Sequence, residues 1–322
     1  MKKIHLLLFF TFINFQLSAQ SLPASMVELN VSESSNPRSL TKFGSKIFFS
    51  AQSVSWGYEL RIYDTITGKA KNLTTLGANT GIQDSEFLVI GDILYFSLRD
   101  GSGFELWRSN GTEEGTYLIK ELNAPSLGGS GNISDFINYN NQLFFAATDE
   151  IHGKELWKSD GTEAGTIMVR DIFEGQNHSS PSNLFVFNNT LFFMASDTNT
   201  NRELWTSDGT EAGTYLFKDF SPGNETYPKE FLVFNNSFYF FANDSNLGTE
   251  IWKSDGTQSG TQIFKDINPG SNASNTIMQG AATDNYFVFD AYTQALGYGL
   301  WKSNGTTEGT SFLKGFDSGI KN

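Results

Sequence analysis

Residues 155–166 read ELWKSDGTEAGT, and close copies of this stretch recur at 105–116, 203–214 and 250–261. A fifth copy at 299–310, GLWKSNGTTEGT, lacks the glutamate, and a degenerate copy at 59–68 begins ELRIYDTITG. The Leu or Ile in the second place of each copy falls at 60, 106, 156, 204, 251 and 300. This spacing predicts six structural units of about 48 residues each.

Each unit contains four short runs typical of β-strands. In the fourth unit they are 183–187, 191–195, 203–207 and 214–220, rich in Phe, Leu and Tyr and separated by Asn, Asp and Gly. The second run is apolar on both faces, as in Leu143-Phe144-Phe145. A sheet with such a central strand must be covered on both sides, and radial stacking of blades provides this cover. The sequence predicts an all-β fold, a β-propeller of six four-stranded blades, with seven blades as the alternative.

Turn residues support this division into strands. Asp160-Gly161 and its equivalents lie where the third run turns into the fourth, and Asx-Gly accommodates positive φ at low cost. Gly153 and its equivalents stand two places before the glutamate of the motif, with Asn201 at that place in the fourth unit. We interpret these glycines as structural.

The repeated motif resembles that of the ELWxxDGT repeat family of secreted bacterial proteins, and the resemblance covers residues 37–322. Four units carry the full motif, the last lacks only its glutamate and the first is degenerate. The resemblance implies an extracellular β-propeller-like repeat protein and implies no established reaction.

The first 36 residues precede the repeats. Lys2 and Lys3, an apolar run over 6–15 and the small residue Ala19 predict a signal peptide over 1–19, with cleavage after Ala19 and a secreted, extracytoplasmic product. Residues 20–36 form an N-terminal segment in which 26–29 resembles a fourth strand and is expected to close the ring. Residues 311–316 compete for that place, so one of the two segments is redundant, displaced or part of a seventh blade.

Composition excludes several classes of partner and site. The 322-residue chain has no cysteine, which excludes disulfides and thiolate metal sites. Without residues 1–19 its net charge is −15, which disfavours binding to nucleic acid or to anionic lipid. No later segment is apolar for long enough to cross a bilayer, so we expect no membrane insertion after cleavage.

The repeated charged residues have a structural explanation. A hairpin register that places Trp157 opposite Met168 also places Glu155 opposite Arg170. In three other units the residues at the equivalent positions are also oppositely charged. These pairs are Glu105 with Lys120, Glu203 with Lys218 and Glu250 with Lys265. Such cross-strand pairs contribute about 0.2–1 kcal/mol each. We therefore favour a structural role over a ring of catalytic glutamates.

Motifs of enzymes and metal sites are scarce. The mature chain has only His152 and His178, and it lacks nucleophile-elbow and phosphate-loop motifs. The stretch from Asp197 to Asn201 looks like the start of a calcium loop, but no later glutamate is correctly spaced. The prediction is a non-enzyme with no cofactor and no metal.

Function is expected to lie where the units differ. We predict a secreted, non-enzymatic binding or adhesion module for an extracellular glycan or protein. The alternatives are a propeller hydrolase acting on polysaccharide and a purely structural surface scaffold. Units one and six depart most from the motif, and their loops between the second and third strands carry five candidate ligand-binding residues, Trp56, Tyr58, Tyr292, Gln294 and Tyr298. Exposed aromatic rings beside amides suit the apolar face of a sugar.

Overall fold

The six predicted blades are six antiparallel sheets. The structure, a computed structural model, describes residues 35–52, 57–75, 81–99, 103–122, 131–199, 202–220, 226, 228–270 and 280–315, with 83–86 by backbone alone. In these ranges every regular element is a β-strand, and the strands form six four-stranded sheets. No helix among these residues is long and apolar enough to cross a membrane. The fold is the predicted all-β propeller of six four-stranded blades.

The strands follow the predicted runs, and we number the blades in chain order. Blade 1 contains β1 Arg38–Phe43, β2 Lys46–Gln52, β3 Tyr58–Asp64 and β4 Lys69–Asn72. Blade 2 contains β5 Gly81–Ile90, β6 Ile93–Arg99, β7 Phe104–Ser109 and β8 Tyr117–Lys120. Blade 3 contains β9 Ser134–Tyr139, β10 Gln142–Asp149, β11 Gly153–Ser159 and β12 Ile167–Arg170.

The last three blades repeat this plan. Blade 4 contains β13 Ser182–Phe187, β14 Thr190–Ala195, β15 Glu203–Ser207 and β16 Tyr215–Lys218. Blade 5 contains β17 Lys229–Phe234, β18 Ser237–Asp244, β19 Gly248–Ser254 and β20 Gln262–Lys265. Blade 6 contains β21 Ala281–Ala282, β22 Phe287–Thr293, β23 Gly297–Ser303 and β24 Ser311–Gly315. Each blade pairs its strands in chain order, and the first strands of neighbouring blades contact one another, which places them on the inner side.

The apolar second strands form the interfaces between blades. In blade 4, Phe193 belongs to the core shared with blade 3, where Phe144 lies on the facing strand. Its neighbour Phe192 points to the other side and packs on Phe238 of blade 5, with ring centroids 5.2 Å apart. Successive residues of a strand face opposite sides, so a doubly apolar strand serves two blades at once. Five such cores join consecutive blades from the first to the sixth.

The predicted pairing of the motif glutamate with the basic residue of the fourth strand is wrong. Trp157 does lie opposite Met168, but a bulge beside it places Arg170 opposite Leu156 rather than Glu155. The same bulge recurs in blades 2, 4 and 5, where Lys120, Lys218 and Lys265 also pair with the Leu or Ile. A bulge inserts one extra residue into one strand, so every pairing beyond it moves by one.

The basic residues instead connect each blade to the next. The ammonium group of Lys120 donates to the carbonyl of Thr166 at 2.8 Å, and that of Lys218 donates to Thr261 at 2.7 Å. Arg170 and Lys265 make the equivalent bonds to Thr214 and Thr310. Each cation thus satisfies a carbonyl at the end of the neighbouring Gly-Thr turn.

The Asx-Gly turns adopt the predicted conformation. Gly161 has φ +88°, and Asp160 Oδ1 accepts hydrogen bonds from the backbone nitrogen of Thr162 at 2.9 Å and from its hydroxyl at 2.7 Å. The second glycine of the turn is needed for space, since a Cβ on Gly165 would lie 2.1 Å from Asp160 Oδ1. Each copy of the motif therefore encodes a closed, rigid turn.

The outer strand of blade 6 is more exposed than the outer strand of blade 5. Phe264 of β20 is only 8% exposed, because blade 6 packs over it, whereas the equivalent Leu313 of β24 is 50% exposed. Residues 26–29, the predicted closing strand, and the signal peptide lie outside the described residues. Ring closure by that segment stays a prediction.

Candidate functional site

The repeated glutamates are buried and bind backbone amides. Glu155 is fully buried, and its carboxylate accepts hydrogen bonds from the backbone nitrogens of Ile172 and Ser179, both at 3.0 Å, and from the Ser179 hydroxyl at 2.6 Å. Ile172 and Ser179 lie in the connection to the next blade. The carboxylate therefore fixes the path of the chain between blades 3 and 4.

The other copies repeat this arrangement. Glu203 accepts from the Phe220 nitrogen at 3.3 Å and from the Thr226 hydroxyl at 2.6 Å. Glu105 and Glu250 accept from the nitrogens of Leu122 and Ile267, at 3.0 and 2.5 Å. Buried carboxylates bound to backbone donors in four separate blades are structural groups, as the sequence predicted, although the partners are different.

Burial changes the ionisation of these glutamates. Removal from water raises the pKa of Glu155 and of Glu203 to about 7, and it raises the pKa of Glu250 to about 8. The hydrogen bonds from the backbone and hydroxyl donors oppose this rise only in part. The three side chains are therefore stabilised in their protonated form at mildly acidic pH.

The repeated aspartates also have a structural role, within the Asx-Gly turns. Hydrogen bonds from the Thr162 hydroxyl and backbone lower the pKa of Asp160, and the equivalent bonds lower the pKa values of Asp208 and Asp255. Blades 2 and 6 have Asn110 and Asn304 at this place, with the same hydrogen bonds to threonine. Since an uncharged amide serves equally well, the turn needs an acceptor oxygen and does not need an acid.

Gly299 replaces the glutamate in blade 6 for a steric reason. A Cβ at this position would lie 2.4 Å from Phe312 Cε2 and 2.5 Å from the carbonyl oxygen of Lys314. The ring of Phe312 packs edge-on against Trp301 and occupies the space that the glutamate uses elsewhere. This departure from the motif therefore belongs to the packing of the last blade.

The predicted ligand-binding residues of blade 6 lie together. Tyr292 and Tyr298 pair across β22 and β23 with ring centroids 4.9 Å apart, and Tyr298 is 48% exposed. Gln294 is exposed in the connecting loop, where its backbone nitrogen donates to Asn268 Oδ1 at 2.8 Å. The structure thus brings the three blade 6 residues into one surface region.

The blade 1 half of the predicted site is only partly described. Trp56 lies outside the described residues. Tyr58 is half-buried beneath the Arg38 guanidinium, 4.8 Å from its ring centroid, and its hydroxyl accepts a hydrogen bond from Asn36 at 3.0 Å. Among the described side chains no ring contact or hydrogen bond joins Tyr58 to the two tyrosines of blade 6. A single patch built from both blades remains a prediction.

No metal centre is formed by the described residues, among which no three His, Asp or Glu side chains converge. His152 instead bonds Asp149 at 2.8 Å, and this bond raises the pKa of the imidazole. Asp197 Oδ1 accepts a hydrogen bond from the Asn199 backbone at 2.8 Å, as in an Asx turn, and the end of the candidate calcium loop, 200–201, lies outside the described residues.

Tyr58 and Tyr298 occupy equivalent positions in their blades, and the sequence analysis did not single out the four other residues at this position. This position lies between the turn residue (Gly, or Asn201 in blade 4) and the motif glutamate (Gly299 in blade 6), and its side chain is half-buried or exposed in all six blades. These residues are Tyr58, Phe104, Lys154, Arg202, Thr249 and Tyr298. This position could have been recognised in the sequence, because its residue type varies between the units while the flanking motif residues are nearly constant.

Comparison with known proteins supports the fold alone. No protein-family model matches the chain, and no curated protein sequence matches it. The solved structure of oligopeptidase B from Leishmania major is similar, with a TM-score of 0.54 and 11% identity over 88% of this chain and 42% of that one. A puromycin hydrolase mutant matches with a TM-score of 0.43 and 11% identity, over 89% of this chain and 55% of that one. This chain spans about half the length of these proteins.

Proposed function

We propose that this chain is a secreted, non-enzymatic binding module, and that its ligand is an extracellular glycan. The observation that carries the proposal is the tyrosine pair of blade 6, in which Tyr298 is exposed and Tyr292 is half-buried, beside the exposed Gln294. An aromatic ring that is half in water offers a flat apolar surface to a sugar, and its hydroxyl offers a hydrogen bond. Binding through such a face requires no reacting group.

The assignment of the repeated carboxylates supports a module rather than an enzyme. Glycoside hydrolysis usually requires two carboxylates that face one substrate. Here the motif glutamates of blades 2 to 5 are buried and hydrogen-bonded to backbone, one in each blade. The motif aspartates are held in turns at the other end of the third strands. Neither repeated set presents a pair of carboxylates to a common ligand.

Replacing Tyr298 with alanine is expected to weaken glycan binding about tenfold or more, because the stacking surface is lost. The free energy of unfolding should change by less than about 1 kcal/mol, since half of the side chain is already in water. Tyr215→Ala is the matched control, because Tyr215 is 49% exposed on the outer strand of blade 4. The measurements are titration of a glycan identified on an array, and thermal unfolding.

The same array distinguishes the alternatives. Binding without turnover of chromogenic glycosides supports the module, whereas turnover abolished by a single carboxylate substitution identifies a hydrolase. Protein that binds no glycan and cleaves none contradicts the proposal and favours a structural scaffold. Equal losses of affinity in the Tyr298 and Tyr215 variants would show that this tyrosine pair is not the binding surface.

A further inference from the structure

The variable position before the motif glutamate divides the blades into two groups. It is aromatic in blades 6, 1 and 2 and is not aromatic in blades 3, 4 and 5. In every blade it lies at or within one residue of the start of the third strand, at the end opposite the Asx-Gly turn. Blades 1 and 2 share a core, and in a propeller the last blade stands beside the first. The aromatic residues, Tyr298, Tyr58 and Phe104, therefore occupy adjacent blades on one face of the propeller.

Phe104, in blade 2, stands on a backbone that packing holds in place. Its neighbours Gly103 and Glu105 are buried, and a Cβ on Gly131 would lie 2.7 Å from the Phe104 carbonyl oxygen. The Phe104 side chain itself is half-buried, and none of the five cores formed by the described residues contains it. An aromatic side chain outside the cores, on a fixed backbone, is well placed to contact a ligand.

Each of the three aromatic residues lies opposite a side chain that can form hydrogen bonds. Directly opposed residues of an antiparallel pair have Cβ atoms about 5 Å apart, so an aromatic ring and a polar group lie side by side in each blade. This combination of an apolar surface and a hydrogen-bonding group suits a sugar. The pairs are Phe104 with Arg99, Tyr58 with Gln52 and Tyr298 with Tyr292.

In blade 1 the aromatic ring supports a guanidinium. Tyr58 packs against the core shared with blade 2, and the Arg38 guanidinium lies 4.8 Å from the Tyr58 ring centroid. Asn36 donates a hydrogen bond to the Tyr58 hydroxyl at 3.0 Å, which helps to fix the ring. Arg38 is exposed, and a planar guanidinium has several N–H donors that suit sugar hydroxyls. Blade 1 therefore offers hydrogen bonds between the aromatic surfaces of blades 6 and 2.

The charges favour a neutral ligand for this surface. The net charge of −15 without residues 1–19 disfavours a polyanion. The side chains opposite the three aromatic residues are an amide, a guanidinium and a phenol, and none of these groups is an acid that would attract a polycation. All three groups form hydrogen bonds with neutral hydroxyls.

We propose that the ligand is a linear, neutral polysaccharide that runs across three blades and contacts Tyr298, Arg38 on Tyr58, and Phe104 in turn. This inference rests on the proposed function, adds the charge class and the length of the glycan, and assigns Phe104 and Arg38 to the binding surface. Contacts that one chain makes at separate sites reinforce one another. Affinity should therefore rise with the number of sugar units until the chain reaches all three blades, whereas a short oligosaccharide contacts blade 6 alone.

Titration with neutral oligosaccharides of glucose, mannose, galactose and xylose, from disaccharides to long chains, tests this inference. We expect Phe104→Leu to weaken binding of the longest chains about fivefold and to leave binding of the shortest unchanged, because leucine is apolar but lacks the flat ring. Phe104→Tyr should retain the affinity, since the ring is kept. Thr249→Ala, at the equivalent position of blade 5, is the matched control and should bind every chain like the wild type.

The outcomes separate this inference from the proposed function. Affinity that rises with chain length in the wild type, and rises less in Phe104→Leu, supports the inference. Equal affinities of wild type and Phe104→Leu for long chains, with binding lost in Tyr298→Ala, overturn it and leave a glycan module confined to blade 6. Binding of charged polysaccharides only also overturns it, and binding of no glycan overturns both proposals. Thermal unfolding verifies that each variant is folded, and Arg38→Ala, at an exposed residue, replaces Phe104→Leu if that variant unfolds.

Discussion

Raising the pH from about 5 to about 8 is expected to destabilise the folded protein strongly. Glu155, Glu203 and Glu250 have pKa values of about 7, 7 and 8 when folded, against 4.5 in the unfolded chain. The folded state therefore binds more protons across this window. The stability that these three glutamates contribute is complete below about pH 4.5 and is lost as the pH rises through their folded pKa values. Shifts of this size correspond to roughly 3 kcal/mol for Glu155 and for Glu203 and to roughly 5 kcal/mol for Glu250.

Thermal unfolding as a function of pH measures this effect. Because the three contributions have the same sign, the midpoint should fall by about 10 °C or more between the two pH values. Replacing all three glutamates with glutamine keeps an uncharged acceptor in each site and should flatten the profile. Glu211→Gln, at an exposed position in an Asx-Gly turn, is the matched control and should leave the slope unchanged. A wild-type midpoint that stays constant or rises over this window would contradict the assignment.

Replacing Phe264 with alanine is expected to cost about 3–5 kcal/mol, whereas Leu313→Ala should cost less than about 1 kcal/mol. The two residues occupy the same place on the fourth strands of blades 5 and 6. Phe264 packs edge-on against Tyr239, with ring centroids 5.1 Å apart, in the core shared with blade 6. Its removal leaves a cavity between two blades. Leu313 is half in water, so its truncation removes little buried surface.

Urea denaturation of both variants measures the loss in the free energy of unfolding. Unchanged m-values would show that the unfolding transition is the same in each variant. Similar losses in the two variants would show that another part of the chain covers the outer strand of blade 6. That result would favour a closing segment such as residues 26–29. The pair therefore also tests the predicted way in which the ring closes.

The candidate site was predicted less completely than the fold. Tyr292, Gln294 and Tyr298 were selected because blade 6 departs from the motif; the structure places them in one surface region, and their role in binding stays a prediction. Arg202 was passed over, because in sequence it is one more basic residue beside a repeated motif. Its contact with Ser182, twenty residues earlier, forms only when the strands of blade 4 pair.

The sequence by itself determined the number of blades, their four strands and their Asx-Gly turns. These features follow from local signals, namely period-two apolar runs and residues that tolerate positive φ, repeated often enough to be unmistakable. The pairing of Trp157 with Met168 was also accessible, since it lies within one hairpin.

Only the tertiary structure decided the partners of the charged residues. A one-residue bulge separates Glu155 from Arg170, and the arginine then reaches the turn of the next blade while the glutamate binds the connection between blades. Opposite charges at facing positions of a hairpin do not reveal these partners, because buried backbone groups that need a hydrogen bond compete for the same side chains. Those groups come together only when the blades stack, and their hydrogen bonds outweigh the weak attraction of a cross-strand pair.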